Sequence, residues 1–242
     1  MLTPSRSNPQ GLLALLWDID GTLLHSGKAA IAAWRLATQA EFGKDFDWRR
    51  VDASGATDVS IAGQICTQLG QPTAVGARLM ARYVEELPGQ LHDQPAVALT
   101  NAAEVLSSVT DNPVYVNLLL TGNLRAAAYA KLTSCGLGQF LWDGAFGDAS
   151  LERNQVAAVA KHLAGETFGS DVPLLVIGDT PRDIIAARFI GARVLAVATG
   201  FYSLEGLEKY HPDGLLAGLP SAEHFSAAIE KIVGNLLTDL TN

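Results

Sequence analysis

Four short segments of the chain bring carboxylates, a hydroxyl and a cation to points where predicted strands end or predicted helices begin. They are Asp18-Ile19-Asp20-Gly21-Thr22-Leu23, Leu120-Thr121-Gly122-Asn123, Glu152-Arg153-Asn154 and Ile177-Gly178-Asp179-Thr180-Pro181-Arg182-Asp183. The carboxylates suit a hard divalent cation such as Mg²⁺, which binds oxygen ligands and shares its shell with phosphates. The hydroxyl, the N–H groups of a helix start and the guanidinium suit an anion. This combination implies phosphoryl transfer with an aspartate as nucleophile.

Short apolar runs alternate with segments of helical spacing along most of the chain. The runs predict five strands, at Leu12–Trp17, Val114–Leu120, Leu141–Phe146, Pro173–Ile177 and Arg193–Val197. Nearly continuous apolar strands are typical of a sheet that is covered on both faces. The alternation with helices predicts an α/β fold with a Rossmann-like parallel sheet. Ligands bind at the carboxyl ends of the strands in such sheets, so we expect the four segments to meet there.

One stretch after the first strand interrupts the alternation with three helix-like segments. They are predicted at Ala29–Phe42, Asp58–Leu69 and Ala74–Leu87, and they end at Gly43, Gly70 and Pro88. Glycine and proline are frequent helix terminators, which supports these ends. The pattern predicts two domains, an α/β core formed by residues 1–24 and 99–242 and an inserted helical cap formed by residues 25–98.

The composition excludes several classes of protein. The chain has 242 residues, of which 48% are apolar, and a net charge of −8 without a basic block, which argues against nucleic-acid binding. An apolar run of the roughly 18 residues that would span a bilayer is absent from the sequence, so no membrane partner is expected. The two cysteines cannot form a disulfide framework. We therefore expect a cytoplasmic protein, either a monomer or a weak homodimer.

The motifs DIDGTLL, LLLTGN and VIGDTPRDI resemble the first, second and fourth signatures of the haloacid dehalogenase superfamily. Within it, the chain is similar to phosphatases of the phosphoglycolate phosphatase type, over residues 12–235. The inserted helices lie where that family has its helical cap. The resemblance implies a Mg²⁺-dependent phosphatase that hydrolyses a small organic phosphate monoester through an aspartyl-phosphate intermediate.

The resemblance also implies a role for each residue that matches a signature. Asp18 would be the nucleophile and a metal ligand, and Asp20 the general acid and base, with its backbone carbonyl on the metal. The remaining roles are phosphate binding by Thr121, Gly122 and Asn123, metal binding by Asp179, and support of the metal shell by Asp183.

The third signature departs from the family, which commonly has a lysine there. No lysine lies between Lys131 and Lys161, and Arg153 is the cation nearest to the expected helix start. Arginine would keep the charge and could bind phosphate, with a different geometry. We predict Arg153 as the phosphate-binding cation, with Lys161 and Arg125 as alternatives. Arg182 is expected to face solvent.

Related activities stay open at this stage. A haloacid dehalogenase would need no metal and no acid at Asp20, and a phosphonate hydrolase would need a cap lysine, for which Lys28 and Lys44 are the candidates. A phosphosugar mutase would share both aspartates of the first signature. A non-catalytic relative would be expected to have lost at least one of the four aspartates, and all four are present.

Overall fold

The computed structural model describes residues 11–140 and 143–239. Its main sheet has six parallel strands in the spatial order β5-β4-β1-β6-β7-β8. These strands are β1 (Leu13–Trp17), β4 (Tyr115–Leu120), β5 (Gly144–Ala145), β6 (Leu174–Gly178), β7 (Arg193–Val197) and β8 (Gly214–Leu216). The predicted parallel α/β fold is confirmed. Leu141 and Trp142, at the start of one predicted strand, lie outside the described residues, and β8 was not predicted.

Helices cover both faces of this sheet, as the apolar strands require. They are α4 (Ala102–Asp111), α5 (Arg125–Ser134), α6 (Arg153–Phe168), α7 (Pro181–Ile190), α8 (Leu204–Glu208) and α9 (Ala222–Asp239). Successive side chains of β1 point to opposite faces. Leu13, Leu15 and Trp17 pack with residues of α4, α5 and α9, whereas Ala14 and Leu16 pack with residues of α6 and α7. Strand β1 therefore belongs to two separate hydrophobic layers, which explains its uninterrupted apolar sequence.

Three helices separate β1 from the rest of the sheet: α1 (Gly27–Phe42), α2 (Asp58–Gln68) and α3 (Gly76–Asp93). We call residues 27–93 the helical insertion. It is flanked by an antiparallel ribbon of two short strands, β2 (Leu24–His25) and β3 (Val97–Ala98). The rings of Trp34 in α1 and Tyr83 in α3 stack with their centroids 4.0 Å apart. The two-domain division stays a proposal, with its boundary at this ribbon.

The predicted end of the third helix at Pro88 is wrong. Helix α3 continues through Pro88 to Asp93. Proline removes one backbone donor from a helix, but a buried face can compensate for that loss. Leu87 and Leu91, one turn apart, are both buried in the hydrophobic core. We attribute the continuation to this packing, which outweighs the local preference of proline.

Among the described residues, no single helix is both long enough and apolar enough to cross a membrane.

Candidate active site

Three neighbouring strands end level with one another and bring three of the predicted segments together. In the sheet register, Trp17 of β1 pairs with Leu119 of β4 and with Ile177 of β6. The chain proceeds from β1 outward to β4 and β5, and then returns to β6 on the other side of β1. Such a reversal of strand order opens a crevice at the carboxyl ends of the strands. Asp18 and Asp179 follow β1 and β6 into this crevice.

Three buried carboxylates meet there. Oxygen atoms of Asp18, Asp179 and Asp183 lie within 4.8 Å of one another, and each residue is at most 4% exposed. Burial and the neighbouring charges raise the pKa of Asp179 to about 9, and burial, opposed in part by Arg153, raises that of Asp18 to about 7. Carboxylates that crowd in this way need a cation to stay ionised together. Their oxygen ligands fit a hard divalent cation such as Mg²⁺.

Two residues of the turn after β1 contact Asp179 and hold it in this cluster. Gly21 has a φ of +85°, and a Cβ atom there would collide with the Asp179 carboxylate. The hydroxyl of Thr22 donates a hydrogen bond of 3.3 Å to Oδ1 of Asp179. Glycine is needed at position 21 both for the left-handed turn and for the close approach. The turn after β1 therefore packs directly against the carboxylate that follows β6.

Arg153 supplies the positive charge of the cluster. It is the first residue of α6, is 6% exposed, and donates from Nη2 to Asp18 Oδ1 at 2.7 Å and to Asp183 Oδ1 at 2.5 Å. The same nitrogen donates to the carbonyl of Leu120 at 2.9 Å. The alternatives lie elsewhere, because Lys161 donates to the Ile190 carbonyl and Arg125 pairs with Asp143 on the surface. The structure therefore brings Arg153, and neither alternative, to the three carboxylates.

Asp183 is fully occupied by contacts within the protein. It is the third residue of α7, and Oδ2 accepts from the backbone N–H and the hydroxyl of Thr180 at 3.1 and 2.7 Å. Thr180 in return accepts from the Asp183 N–H, which forms a capping box. The other carboxylate oxygen of Asp183, Oδ1, accepts from Arg153. Asp183 is thus placed to orient Arg153 and the turn before α7.

Asp20 lies at a second point of the crevice, outside the cluster of three. Its Oδ1 accepts from Ser26 Oγ at 2.6 Å, and its Oδ2 accepts from Asn123 Nδ2 at 2.8 Å and from Lys131 Nζ at 2.7 Å. Partial burial opposes ionisation, but the charge and hydrogen bond of Lys131, and the hydrogen bonds from Ser26 and Asn123, lower the pKa of Asp20. Asp20 is therefore held in one orientation by three donors.

Lys131 is the functional candidate that sequence reasoning missed. It lies in α5, is only 4% exposed, and binds Asn123 Oδ1 at 2.5 Å as well as Asp20. A signal was present in the sequence: Ala128, Lys131 and Leu132 share the buried face of α5. A lysine on an apolar helix face needs a buried partner.

Thr121, Gly122 and Asn123 form the loop after β4. The Thr121 hydroxyl accepts from the backbone N–H and the side-chain amide of Asn123 at 3.2 and 2.8 Å. Asn123 could have been the N-cap of α5, but the cap is Leu124, without a side-chain bond. The side-chain amide of Asn123 instead donates from Nδ2 to Thr121 and Asp20, and its Oδ1 accepts from Lys131.

The helical insertion packs against the loop after β4. A Cβ at Gly122 would collide with the carbonyl of Ala56, so the two backbones are in direct contact. The N–H of Asp58 donates to the Gly122 carbonyl at 2.7 Å, and its carboxylate accepts from the Leu124 N–H at 2.8 Å. Burial raises the pKa of Asp58 to about 6. The segment around Asp58 therefore forms the roof of the crevice.

Arg182 is partly exposed, as expected, with 39% of its side chain accessible, but it also makes contacts that the sequence did not predict. It pairs with Asp52 of the insertion through Nη2 and Oδ2 at 2.6 Å, and it also donates to the carbonyl of Ser54. Arg182 thus connects α7, beside the three carboxylates, to the loop before α2.

Comparisons with known proteins identify the family. The sequence model of the haloacid dehalogenase-like hydrolase family matches residues 12–191 of this chain. The chain belongs to this family of enzymes. It is 28% identical to a phosphoglycolate phosphatase of Synechococcus elongatus, over 84% of this chain and 92% of the relative, and 24% identical to one of Pectobacterium atrosepticum, over 84% and 87%.

Solved structures show the same fold. CbbY from Rhodobacter sphaeroides, in complex with phosphate, matches with a TM-score of 0.68 at 18% identity, over 86% of this chain and 94% of that one. A hydrolase from Pseudomonas syringae matches with a TM-score of 0.66 at 21% identity, over 91% and 99%. The resemblance drawn from the sequence motifs is thereby confirmed, and the chain is a hydrolase whose curated relatives are phosphatases. The roles of the single residues stay predictions.

Proposed function

We propose that this hydrolase is a Mg²⁺-dependent phosphatase that acts on a small organic phosphate monoester through an aspartyl-phosphate on Asp18. One observation carries the proposal: the Arg153 guanidinium is bound to Asp18 and Asp183 within a cluster of three buried carboxylates. Such a cluster can hold a divalent cation, while the guanidinium binds an anionic phosphoryl group next to the nucleophile. The phosphoglycolate phosphatases among the relatives support this choice of reaction.

Mg²⁺ would be held by the carboxylates of Asp18 and Asp179 and by the backbone carbonyl of Asp20. When bound, it supplies positive charge that offsets the negative charge of the phosphoryl oxygens. Asp183 has both oxygens engaged by Thr180 and Arg153, so its role is to hold these groups in place. This assignment keeps the residue roles that the sequence motifs implied.

The phosphoryl group would be transferred in two steps. In the first, one oxygen of Asp18 attacks phosphorus, and the bond to the leaving oxygen breaks. Oδ1 of Asp18 is bound to Arg153, and Oδ2 has no hydrogen-bond partner among the described residues, so Oδ2 is the available nucleophile. Asp20, when protonated, gives its proton to the leaving oxygen and becomes a carboxylate.

In the second step, Asp20 takes a proton from water while the water oxygen attacks phosphorus, which releases inorganic phosphate and restores Asp18. Thr121, Gly122 and Asn123 would bind the phosphoryl oxygens during both steps, together with Arg153. The roof around Asp58 would exclude bulk water from the aspartyl-phosphate. Lys131 would keep Asp20 directed toward the leaving oxygen, because it is bound to Asp20 and Asn123 at once.

The test is phosphate release from p-nitrophenyl phosphate, measured with Mg²⁺ and with EDTA. We expect release to require Mg²⁺ and to fall at least about a thousandfold in Asp18→Asn, because the nucleophile is lost. Asp143→Asn is the matched control, since Asp143 is exposed and pairs with Arg125 on the surface. Unchanged release in Asp18→Asn would overturn the proposal, and so would dehalogenation of a haloacid in the presence of EDTA.

A further inference from the structure

The crevice widens into a cavity between the sheet edge and the helical insertion, and its lining bears on the identity of the substrate. The cavity has a volume of about 720 Å³ and contains Asp18, Asp20 and Asp179 at its base. The wall formed by the insertion is largely apolar, and its members include Ala30, Ile31, Trp34, Trp48 and Val51. Under the proposed function, on which this inference rests, the phosphate occupies the base. The leaving group therefore lies against the wall formed by the insertion.

Two hydroxyls in this lining are buried without a hydrogen-bond partner among the described residues. They are Oη of Tyr83 and Oγ of Ser54. Tyr83 is completely buried, and its ring is fixed by stacking on Trp34 at an interplanar angle of 5°. A buried hydroxyl without a partner is costly, so native proteins rarely leave one unless a ligand or water uses it. Both hydroxyls are thus available to a polar group of the leaving group.

The phenol of Tyr83 stays protonated and lies within electrostatic reach of the reaction centre. Burial, and then the charges of Asp58 and Asp20, raise its pKa well above the usual value. A protonated phenol can donate one hydrogen bond and accept another. It therefore complements the hydroxyl of an alcohol, which has the same two capacities.

The lysine and arginines of the cavity are already paired with carboxylates. In the described lining, Arg153 is paired with Asp18 and Asp183, Lys131 with Asp20, and Arg49, whose side chain is 90% exposed, with Asp47; His25 also belongs to the lining. Asp58 and Asp52 add further negative charge to the same wall, although Asp52 is paired with Arg182. A second anionic group on the substrate would lose hydration here without gaining an unpaired lysine or arginine, which is unfavourable.

We propose that the substrate is the phosphate monoester of a neutral, hydroxyl-bearing alcohol, and that Tyr83, assisted by Ser54, recognises its hydroxyl. The carbon skeleton of the alcohol packs against Trp34 and the apolar wall. Esters whose leaving group carries a carboxylate or a second phosphate are discriminated against. Phosphoglycolate, after which the two related phosphatases are named, carries such a carboxylate and is therefore a poor substrate of this enzyme.

The first experiment compares esters that differ only at the end remote from phosphorus. Ethyl phosphate, 2-hydroxyethyl phosphate and 2-phosphoglycolate form a two-carbon series, and glycerol 3-phosphate with 3-phosphoglycerate forms a three-carbon pair. We expect kcat/KM to be at least about tenfold higher for each hydroxyl ester than for its carboxylate counterpart. Faster turnover of the carboxylate ester in both series would overturn the inference.

The second experiment removes the hydroxyl of Tyr83 and keeps its ring. In Tyr83→Phe we expect kcat/KM to fall roughly tenfold for 2-hydroxyethyl phosphate and glycerol 3-phosphate. The values for ethyl phosphate and p-nitrophenyl phosphate should change by less than about twofold. Ser54→Ala should show the same selectivity with a smaller loss. Tyr210→Phe is the matched control, because Tyr210 is 44% exposed and lies outside the cavity.

The two proposals fail in distinguishable ways. An equal loss for every ester in Tyr83→Phe, or no loss for any, would refute the role of Tyr83 in recognition. Asp18-dependent release from p-nitrophenyl phosphate with a preference for carboxylate esters would refute this inference alone. Absence of that release would refute the proposed function, and the inference with it.

Discussion

Among the described residues, the side chain of Arg153 makes its hydrogen bonds through one nitrogen atom, and this leads to a sharp prediction. Nη2 serves the three acceptors Asp18 Oδ1, Asp183 Oδ1 and the Leu120 carbonyl, at 2.7, 2.5 and 2.9 Å. Nε of the same side chain is buried and has no hydrogen-bond partner in the described part of the chain. A lysine ammonium has three donors at a single point, so it matches three acceptors that converge on one position. The site therefore needs a cation at the Nη2 position more than it needs a planar guanidinium.

Arg153→Met and Arg153→Lys separate these two requirements. Methionine leaves the buried carboxylates of Asp18 and Asp183 without their cation, which should reduce the free energy of unfolding in EDTA by about 3–5 kcal/mol. It should also lower kcat/KM at least about a hundredfold, because the phosphoryl charge loses a partner. Lysine keeps the charge on a slightly shorter side chain and removes the unpaired Nε. We expect it to cost less than about 1.5 kcal/mol and to lower kcat/KM less than about tenfold.

Urea unfolding in EDTA and phosphate release from p-nitrophenyl phosphate with Mg²⁺ measure these effects. Arg35→Met is the matched control, since the Arg35 side chain is 54% exposed and its Nε lies as far as 3.9 Å from Asp45 Oδ1 in a loose surface pair. That variant should stay within about 0.5 kcal/mol of the parent protein. If Arg153→Lys were as impaired as Arg153→Met, the planar guanidinium would be essential, and the argument from the single nitrogen would be wrong.

Two further predictions concern charged groups around the crevice. Lys131→Met should lower kcat roughly ten- to hundredfold for alkyl phosphates, less for aryl phosphates with good leaving groups, with little change in KM, because Asp20 loses orientation. Lys161→Met is its control, and an equal loss for both ester classes would contradict the prediction. Asp58→Asn keeps an acceptor for the Leu124 N–H. Because the pKa of Asp58 is raised to about 6, its contribution to stability is present at low pH and is lost as the pH rises through about 6. The variant should therefore be roughly 1–3 kcal/mol more stable than the parent protein at pH 8 and nearly equal at about pH 3.5, which is below the usual pKa of an aspartate, by urea unfolding. The same difference at both pH values would contradict this explanation.

Local pattern was sufficient to predict the sheet and the segments that follow its strands. The strand from Arg193 to Val197 agrees with its prediction at both ends, and β1 and β6 differ by one residue at one or both ends. An uninterrupted apolar run is required wherever a strand is buried on both faces, so this signal is strong. The polar residues directly after such runs were for the same reason the natural candidates for a site.

Packing over long distances overruled local preference in other places. Helix α3 continues through Pro88 because the apolar face at Leu87 and Leu91 remains buried. Strand β8 is three residues long, and it was missed because so short a run has no distinctive period. These errors fall where contacts with distant residues, and not the local sequence, stabilise the element.

For the candidate site, the sequence determined the chemical groups, their order and the strand ends at which they stand. Only the tertiary structure decided which groups touch. It separated Asp20 from the cluster of Asp18, Asp179 and Asp183, brought Lys131 to Asp20 across 111 positions, and connected Arg182 to Asp52 across 130. The physical reason is that a buried charge is stable only beside a partner, and a single sequence does not show which distant residue that partner will be.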